Sequence, residues 1–368
     1  MTTSRLPLLD AMKGLGCLAI VFHHLAVYGP MSDVVRGDFP AIISGLEIYA
    51  RLAVQMFFVL AGFLVAAQLA PEGQPSASLT TSPLGLIFKR YRRLITPFLF
   101  AIACAILITA IVRPWFVHDS LSAPPSLAQL LAHALLVHDL SGVEALSAGV
   151  WYVAIDFQLF ILTVLLTALS ARAAPDWRWV FPALIIGLAA SSLWVINRYD
   201  RYEDYAPYFF GAYALGMLAF WSTRKSVGGV LLLTIATLGI VALWLEHRNP
   251  IVVALATALI VAIAGQRGWL AQWPRTGLLT WLGQRSYSIF LIHYGFVIGM
   301  NALWARLFPT GVLVNALGMM LAVLISVGAG ALLYRYVESQ PNALGRNLVT
   351  TVLGAAVATA FLLETLAW

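Results

Sequence analysis

The sequence predicts an all-α fold, a polytopic transmembrane bundle of about 10–11 spanning helices. Hydrophobic residues make up 61% of the 368 residues, charged residues only 10%, and the mean hydropathy is +0.87. Soluble domains are nearer half apolar and a quarter charged, so a soluble enzyme and a disordered chain are both excluded. The two cysteines also exclude a disulfide scaffold. Long apolar runs favour helices that cross a bilayer.

Apolar stretches long enough to span a membrane divide the chain from end to end. They lie at roughly 11–29, 46–69, 94–112, 150–170, 179–196, 206–222, 228–245, 250–265, 278–303, 312–334 and 348–366. The connections between them are brief, which predicts one membrane domain over residues 1–345 and an extra C-terminal transmembrane helix over 346–368.

Basic residues predict the orientation. Lys89 and its arginine neighbours lie between the second and third stretches, and later even-numbered turns are also basic, whereas odd-numbered turns carry mixed charge. The positive-inside rule then puts the N-terminus and the basic turns in the cytoplasm. The net charge of +6 comes from such positions and does not indicate a nucleic-acid partner. Lys13 interrupts the first stretch, so we expect no cleaved signal peptide.

Ionisable residues share one face of the first helix. Asp10, Lys13, Cys17 and His24 are offset by 0, 3, 7 and 14 residues. Such groups inside a membrane helix are costly and typically face a cavity or a partner. For His24, one interpretation is a neutral, hydrogen-bonded structural histidine. The other is a general base, because imidazole titrates near pH ~6.5.

Five further segments carry motifs, in this order and spacing: Gln55–Leu64, Lys89–Pro97, Trp151–Phe160, Leu282–His293 and Tyr334–Pro341. Together with the first helix they resemble the acyltransferase-3 family of integral membrane acyltransferases. The resemblance runs from about residue 6 to 341. It implies O-acylation of bacterial surface polysaccharides, lipopolysaccharide, peptidoglycan or small glycosides.

The family's hallmark is an arginine followed, after ten residues, by a histidine in the first helix. Here Lys13 and His24 match it, with Lys in place of Arg. Lysine keeps the positive charge but loses the planar two-pronged donor. The resemblance implies that His24 is the general base. The lysine marks either a subgroup or a degenerate member with a structural role.

The family's second signature, Arg-x-x-Arg near the start of the third helix, matches Arg90 and Arg93. With Arg92, these side chains would suit the phosphates of coenzyme A, although a basic cytoplasmic turn also suits anionic lipid. The resemblance favours donor binding. It implies acyl-CoA, with acetyl-CoA as the first choice, as the donor substrate, and no metal.

Three more ionisable residues complete the predicted site. His293 lies mid-span in the ninth stretch, where a structural histidine is the alternative to a catalytic one. Asp156, in the fourth stretch, could orient an imidazole or a sugar hydroxyl. Glu338 is expected to pair with Arg335 or with an arginine of the 90–93 cluster, in a structural or donor-site role. The segment 113–147 is expected to be a re-entrant or surface helix, and its histidines have no metal-site spacing.

The sequence thus predicts a multi-pass O-acyltransferase of the bacterial inner (cytoplasmic) membrane. Its expected partners are a glycan or glycoside acceptor, the lipid bilayer and separate envelope glycan-synthesis proteins. The alternative is a proton-coupled transporter or flippase of a glycolipid or small molecule, which would also need buried ionisable residues. Against the alternative, we find neither inverted repeats nor matching Gly/Pro-broken helices.

Overall fold

The computed structural model describes residues 6–75, 82–172, 179–224, 226–340, 347 and 349–358. Within these ranges the chain is helical and has no β-strand, which confirms the predicted all-α class. Three basic residues of the even-numbered turns, Arg178, Lys225 and Arg346, lie outside the described residues, as does Pro341 at the end of the last motif.

The α-helices of the described residues follow one another as α1 (Pro7–Val27), α2 (Pro30–Asp38), α3 (Pro40–Tyr49), α4 (Ala53–Leu69), α5 (Pro83–Val112), α6 (Leu127–Ala134), α7 (Val150–Ser170), α8 (Val180–Trp194), α9 (Ala206–Ser222), α10 (Gly228–Leu245), α11 (Asn249–Gln266), α12 (Trp269–Gln272), α13 (Gly277–Leu307), α14 (Val312–Leu333) and α15 (Val349–Ala358). Short 3₁₀ turns at Ala50–Leu52, Ile196–Arg198 and Asp200–Tyr202 and a π-helical turn at Tyr334–Glu338 extend them.

Nine helical segments of the described chain are long and apolar enough to cross a membrane. The predicted stretch 206–222 is α9, which has 17 residues, at the short end of the spanning range. Of the predicted C-terminal helix over 346–368, the structure describes residue 347 and α15, and the remainder lies outside the described residues. The cytoplasmic N-terminus stays a prediction.

Two segments that the sequence predicts as turns are helical. α5 begins at Pro83, so the basic cluster at 89–93 lies within a helix instead of before it. The first predicted external turn contains α2, which starts with Pro30 directly after Gly29. Proline suits the first turn of a helix because its missing N–H would have no partner there.

The chain divides into two compact units. The first comprises Met1–Lys13, Leu52–Tyr91 and Ala154–Thr280, and the second comprises Gly14–Arg51, Arg92–Val153 and Trp281–Trp368. In the first unit, α9 is buried along almost its whole length and packs against α4, α8, α10 and α11. A helix that is apolar all round belongs in such a central position.

Glycines let α4 and α9 approach closely. A Cβ added at Gly62 would lie 1.8 Å from the carbonyl oxygen of Tyr213, and one at Gly216 would lie 1.9 Å from that of Val59. Both contacts are with backbone, which cannot move aside as a side chain can. This reciprocal pair therefore requires glycine on both helices.

We expect Gly216→Ala to destabilise the protein, because the added methyl group must push α4 and α9 apart. Overpacking of this kind costs about 1–3 kcal/mol or more. Thermal unfolding in detergent measures it. Gly229→Ala is the matched control, since a Cβ at Gly229 in α10 has nothing within 4 Å. Equal melting temperatures for the two variants would contradict this packing.

In the second unit, α13 packs closely against α5 and against α14. A Cβ at Gly295 would lie 3.1 Å from the Cα of Ala105, and one at Gly330 would lie 2.6 Å from the Cα of Ile289. α13 is thus held on two sides within this unit.

The predicted surface segment at 113–147 contains one short helix, α6, which begins with a capping box.

Candidate functional site

His24 and His293 form a buried hydrogen-bonded pair in the second unit. His24 lies in the last turn of α1, and His293 lies in the middle of α13. Nδ1 of His24 is 2.6 Å from Nε2 of His293, and the two ring planes differ by 14°, with centroids 4.9 Å apart. The side chains are only 7% and 0% exposed. Two histidines that the sequence predicts separately are thus brought together.

The pair is one step in a regular contact between the two helices. Seven residues earlier, the Cys17 thiol donates to the carbonyl oxygen of Ser286 at 3.3 Å. The residue numbers differ by 269 in both pairs. α1 and α13 therefore run in the same direction in a fixed register. The two contacts are about 10.5 Å apart along the helix axes.

Hydrogen bonding determines which nitrogens of the neutral pair carry protons. Nδ1 of His293 lies 2.7 Å from the carbonyl oxygen of Phe290, which can only accept. His293 therefore carries its proton on Nδ1 and presents a lone pair on Nε2. His24 donates from Nδ1 to that lone pair, which leaves Nε2 of His24 unprotonated. This tautomer is the one that a general base needs.

Aromatic rings and a glycine surround His24. The ring of Tyr28 stacks on it with centroids 5.4 Å apart, and Tyr294 meets Tyr28 edge-on at 5.6 Å. Gly149, at φ +76°, lies so close that a Cβ there would be 3.5 Å from Cε1 of His24. None of these residues was predicted from the sequence. The spacing of Tyr28, four residues after His24 on one helix face, was an available signal, whereas nothing marked Gly149.

Lys13 lies in α1 with His24, in unbroken helix. Their offset of eleven positions in one helix corresponds to roughly 16 Å along the axis. Lys13 is half-buried and falls in the first unit. The role expected of Lys13 in the site stays a prediction.

Arg90 and Asp156 pair with each other in the first unit. Nη2 of Arg90 donates to Oδ2 of Asp156 at 2.6 Å, with side chains 24% and 6% exposed. The guanidinium also lies over the ring of Phe160, 5.3 Å from its centroid. A guanidinium held by a buried carboxylate is a weaker phosphate ligand than an exposed one. The pair was not predicted, since Arg90 was assigned to the donor and Asp156 to an imidazole or hydroxyl.

Arg92, Arg93 and Glu338 lie in the second unit. Arg92 and Arg93 are exposed on α5. Glu338 ends the π-helical turn after α14, where its Oε2 accepts a hydrogen bond from Oγ of Ser288 at 2.6 Å. It also interacts electrostatically with Arg93. π-helical turns are frequent at functional sites.

His133 and His138 form a second stacked pair, with centroids 4.2 Å apart. Nδ1 of His133 donates to the carbonyl oxygen of Gln129, and its Nε2 accepts from the N–H of Leu146. Burial lowers the pKa of His133, and burial together with His133 lowers the pKa of His138 to about 3. Both rings are therefore neutral at physiological pH. In the described chain no group of three or more His, Cys, Asp or Glu residues could hold a metal ion.

Similar proteins are found among curated sequences. O-acetyltransferase OatA of Staphylococcus aureus, in strains NCTC 8325, COL and MRSA252, is 23% identical over 335 residues, covering 82% of this chain. The chain spans about half the length of these relatives, 52%. No solved structure matches the chain significantly.

A family profile described as an acyltransferase domain matches residues 6–335, which include both histidines of the pair and the basic start of α5. The multi-pass helical architecture agrees with that match. The chain therefore belongs to the acyltransferase-3 family.

Proposed function

We propose that the protein is an integral membrane O-acyltransferase. It transfers an acetyl or other short acyl group from cytoplasmic acyl-CoA, acetyl-CoA first, to a hydroxyl of a sugar or cell-envelope polysaccharide. The observation that carries the proposal is the buried hydrogen bond between His24 and His293, in a chain of this family. The relatives named as O-acetyltransferases support the reaction class.

In the proposed step, His24 is the general base. An alcohol is a weak nucleophile, so its proton must be removed as it attacks. Nε2 of His24 takes the proton of the acceptor hydroxyl while the oxygen bonds to the carbonyl carbon of the thioester. The bond between that carbon and sulfur breaks, and the imidazolium returns the proton to the departing thiolate. The products are an ester and free coenzyme A.

His293 holds His24 ready for this step. Its Nε2 accepts from Nδ1–H of His24, so the basic nitrogen of His24 stays directed away from its partner. The same hydrogen bond stabilises the positive charge that forms on His24, as the orienting residue does in other histidine-based transfers. The Cys17 thiol is buried and donates to the carbonyl of Ser286, which supports direct transfer without an acyl-enzyme.

Arg92 and Arg93 are the residues that we propose for the phosphates of coenzyme A. Both are exposed, and charge-assisted hydrogen bonds from guanidinium to phosphate are strong and directional. Glu338 interacts electrostatically with Arg93. We assign Arg90 a structural role instead, because Asp156 already holds its guanidinium.

The proposed setting is the bacterial inner membrane. The basic start of α5 would face the cytoplasm, where acyl-CoA is found, and the glycan or glycoside acceptor would approach from the opposite side. Separate envelope glycan-synthesis proteins would supply the acceptor. Lys13 would contribute a cation nearer the cytoplasmic end of α1.

Release of free thiol from acetyl-CoA by the purified full chain in detergent tests the donor assignment. We expect release that saturates with acetyl-CoA, and we expect Arg93→Ala to raise its KM roughly tenfold, since a charge-assisted hydrogen bond is lost. Arg267→Ala is the control, an exposed arginine stacked on Trp269 in the first unit. If acetyl-CoA is neither bound nor consumed, with crude envelope glycans present, the donor assignment is wrong.

A further inference from the structure

A buried asparagine side chain binds the backbone that follows His24. Asn301 lies in α13, eight residues after His293, and is 0% exposed. Its Nδ2 donates to the carbonyl oxygen of Tyr28 at 2.9 Å, and its Oδ1 accepts from the N–H of Met31 at 3.1 Å. Nδ2 also donates to the carbonyl of Val297 at 3.0 Å, within its own helix. Both amide protons and the oxygen are thus engaged.

These bonds satisfy backbone groups that helix ends leave without partners. Tyr28 follows the last residue of α1, and Met31 lies in the first turn of α2. One side chain therefore joins the end of one helix and the start of the next to α13. Because the amide is bonded to its own helix as well, its position is fixed relative to His293.

Gly29, between Tyr28 and Pro30, packs against the amide group of Asn301. Its φ is +146°, and a Cβ there would lie 2.2 Å from Cγ of Asn301. Glycine is required both by this backbone conformation and by the contact. The amide of Asn301 consequently occupies the space that any other residue at position 29 would need.

Asn301 continues the register between α1 and α13. The Cys17 thiol and His24 make the first two contacts with α13, seven residues apart, and Met31 makes the third after seven more. Asn301 makes its contact on the far side of the histidine pair, about two helical turns after His293. A shift there would move His24 relative to His293.

We infer that Asn301 is a positioning residue for catalysis, which holds His24 in hydrogen-bond register with His293. The inference rests on the proposed function of that pair. A displacement of about 1 Å at a reacting group can cost roughly a hundredfold in rate. An asparagine that only stabilised the fold would not affect the tautomer of the pair or its turnover.

Asn315 provides a matched control in the same unit. It is 2% exposed, and its Nδ2 donates to the carbonyls of Phe308 and Gly311, closing the connection between α13 and α14. It is therefore another buried asparagine that binds backbone carbonyls where two helices connect. It makes no contact with the histidine pair.

The kinetic test compares Asn301→Ala with Asn315→Ala. We expect both to lower the melting temperature, but only Asn301→Ala to lower kcat for thiol release, roughly 10- to 100-fold, with KM for acetyl-CoA unchanged. Gly29→Ala, which displaces the amide without removing it, should reproduce the loss of kcat. Equal kcat values for the two asparagine variants would overturn the inference.

A second readout does not depend on activity. In proteoliposomes with ¹⁵N-labelled histidine, the spectrum of the wild type should show Nδ1-protonated rings for the pair, identified with His24→Ala and His293→Ala. Asn301→Ala should abolish the Nδ1-protonated signal of His24, because only that proton depends on the contact between the two helices, and Asn315→Ala should retain it. If the signal is retained in Asn301→Ala, the inference is wrong, whether or not thiol release is found. Absence of thiol release from the wild type would refute only the proposed function.

Discussion

We expect His24→Ala to reduce acetyl-CoA-dependent thiol release at least roughly 100-fold, because general-base catalysis contributes about 10²–10⁴-fold. The tautomer imposed by His293 and the carbonyl of Phe290 leaves Nε2 of His24 as the basic nitrogen of the pair. Alanine removes that nitrogen. Binding of acetyl-CoA, measured by calorimetry on the same sample, should change little, since no donor-binding residue is altered.

His23→Ala is the matched control for this variant. His23 lies next to His24 in α1, about 100° around the helix, and is half-buried. Its ring is 5.0 Å from that of His24 but takes no part in the bond to His293. We expect it to retain most of the activity. A folded His24→Ala protein with more than roughly a tenth of wild-type turnover would contradict the base assignment.

We expect Asp156→Ala to cost about 3–5 kcal/mol of the free energy of unfolding, because it leaves the partly buried guanidinium of Arg90 without its carboxylate. Denaturant or SDS titration of the detergent-solubilised protein measures the loss. Arg90→Leu should be similarly destabilising, because it strands the carboxylate. The double variant Arg90→Leu and Asp156→Leu should recover much of the stability, as replacement of both partners of a buried pair commonly does.

The double variant also separates two roles of Arg90. If its guanidinium serves only Asp156, the recovered protein should bind acetyl-CoA with the wild-type KM. A raised KM for acetyl-CoA in a stable double variant would show that Arg90 takes part in donor binding. If the double variant is no more stable than either single one, the ion pair does not explain the single losses.

The local pattern of apolar residues was enough to predict most of the helices. The stretches at 150–170 and 228–245 agree with α7 and α10 residue for residue, because each is a continuous apolar run with clear ends. The start of α5 was not predictable from hydropathy. Its first turns carry the basic cluster at 89–93, which has low hydropathy but good helix propensity.

The candidate site was predictable only in part, for a physical reason. Ionisable residues inside apolar stretches identified His24, His293 and Asp156, since such residues are costly unless they have partners. Which partner each residue takes is a tertiary property. Arg90 is 66 residues from Asp156, and His24 is 269 residues from His293. Asn301 gave no signal, because one amide in an apolar helix is compatible with many structural roles.

Transfer of labelled acetyl groups tests the central claim most directly. Proteoliposomes that contain the full chain would receive [¹⁴C]acetyl-CoA on one side and envelope glycans on the other, with His24→Ala in parallel. We expect label on the glycan in an ester that mild alkali releases, and none with His24→Ala. Label that remains in coenzyme A, that forms an alkali-stable product, or that appears equally with His24→Ala would contradict O-acylation through the histidine pair.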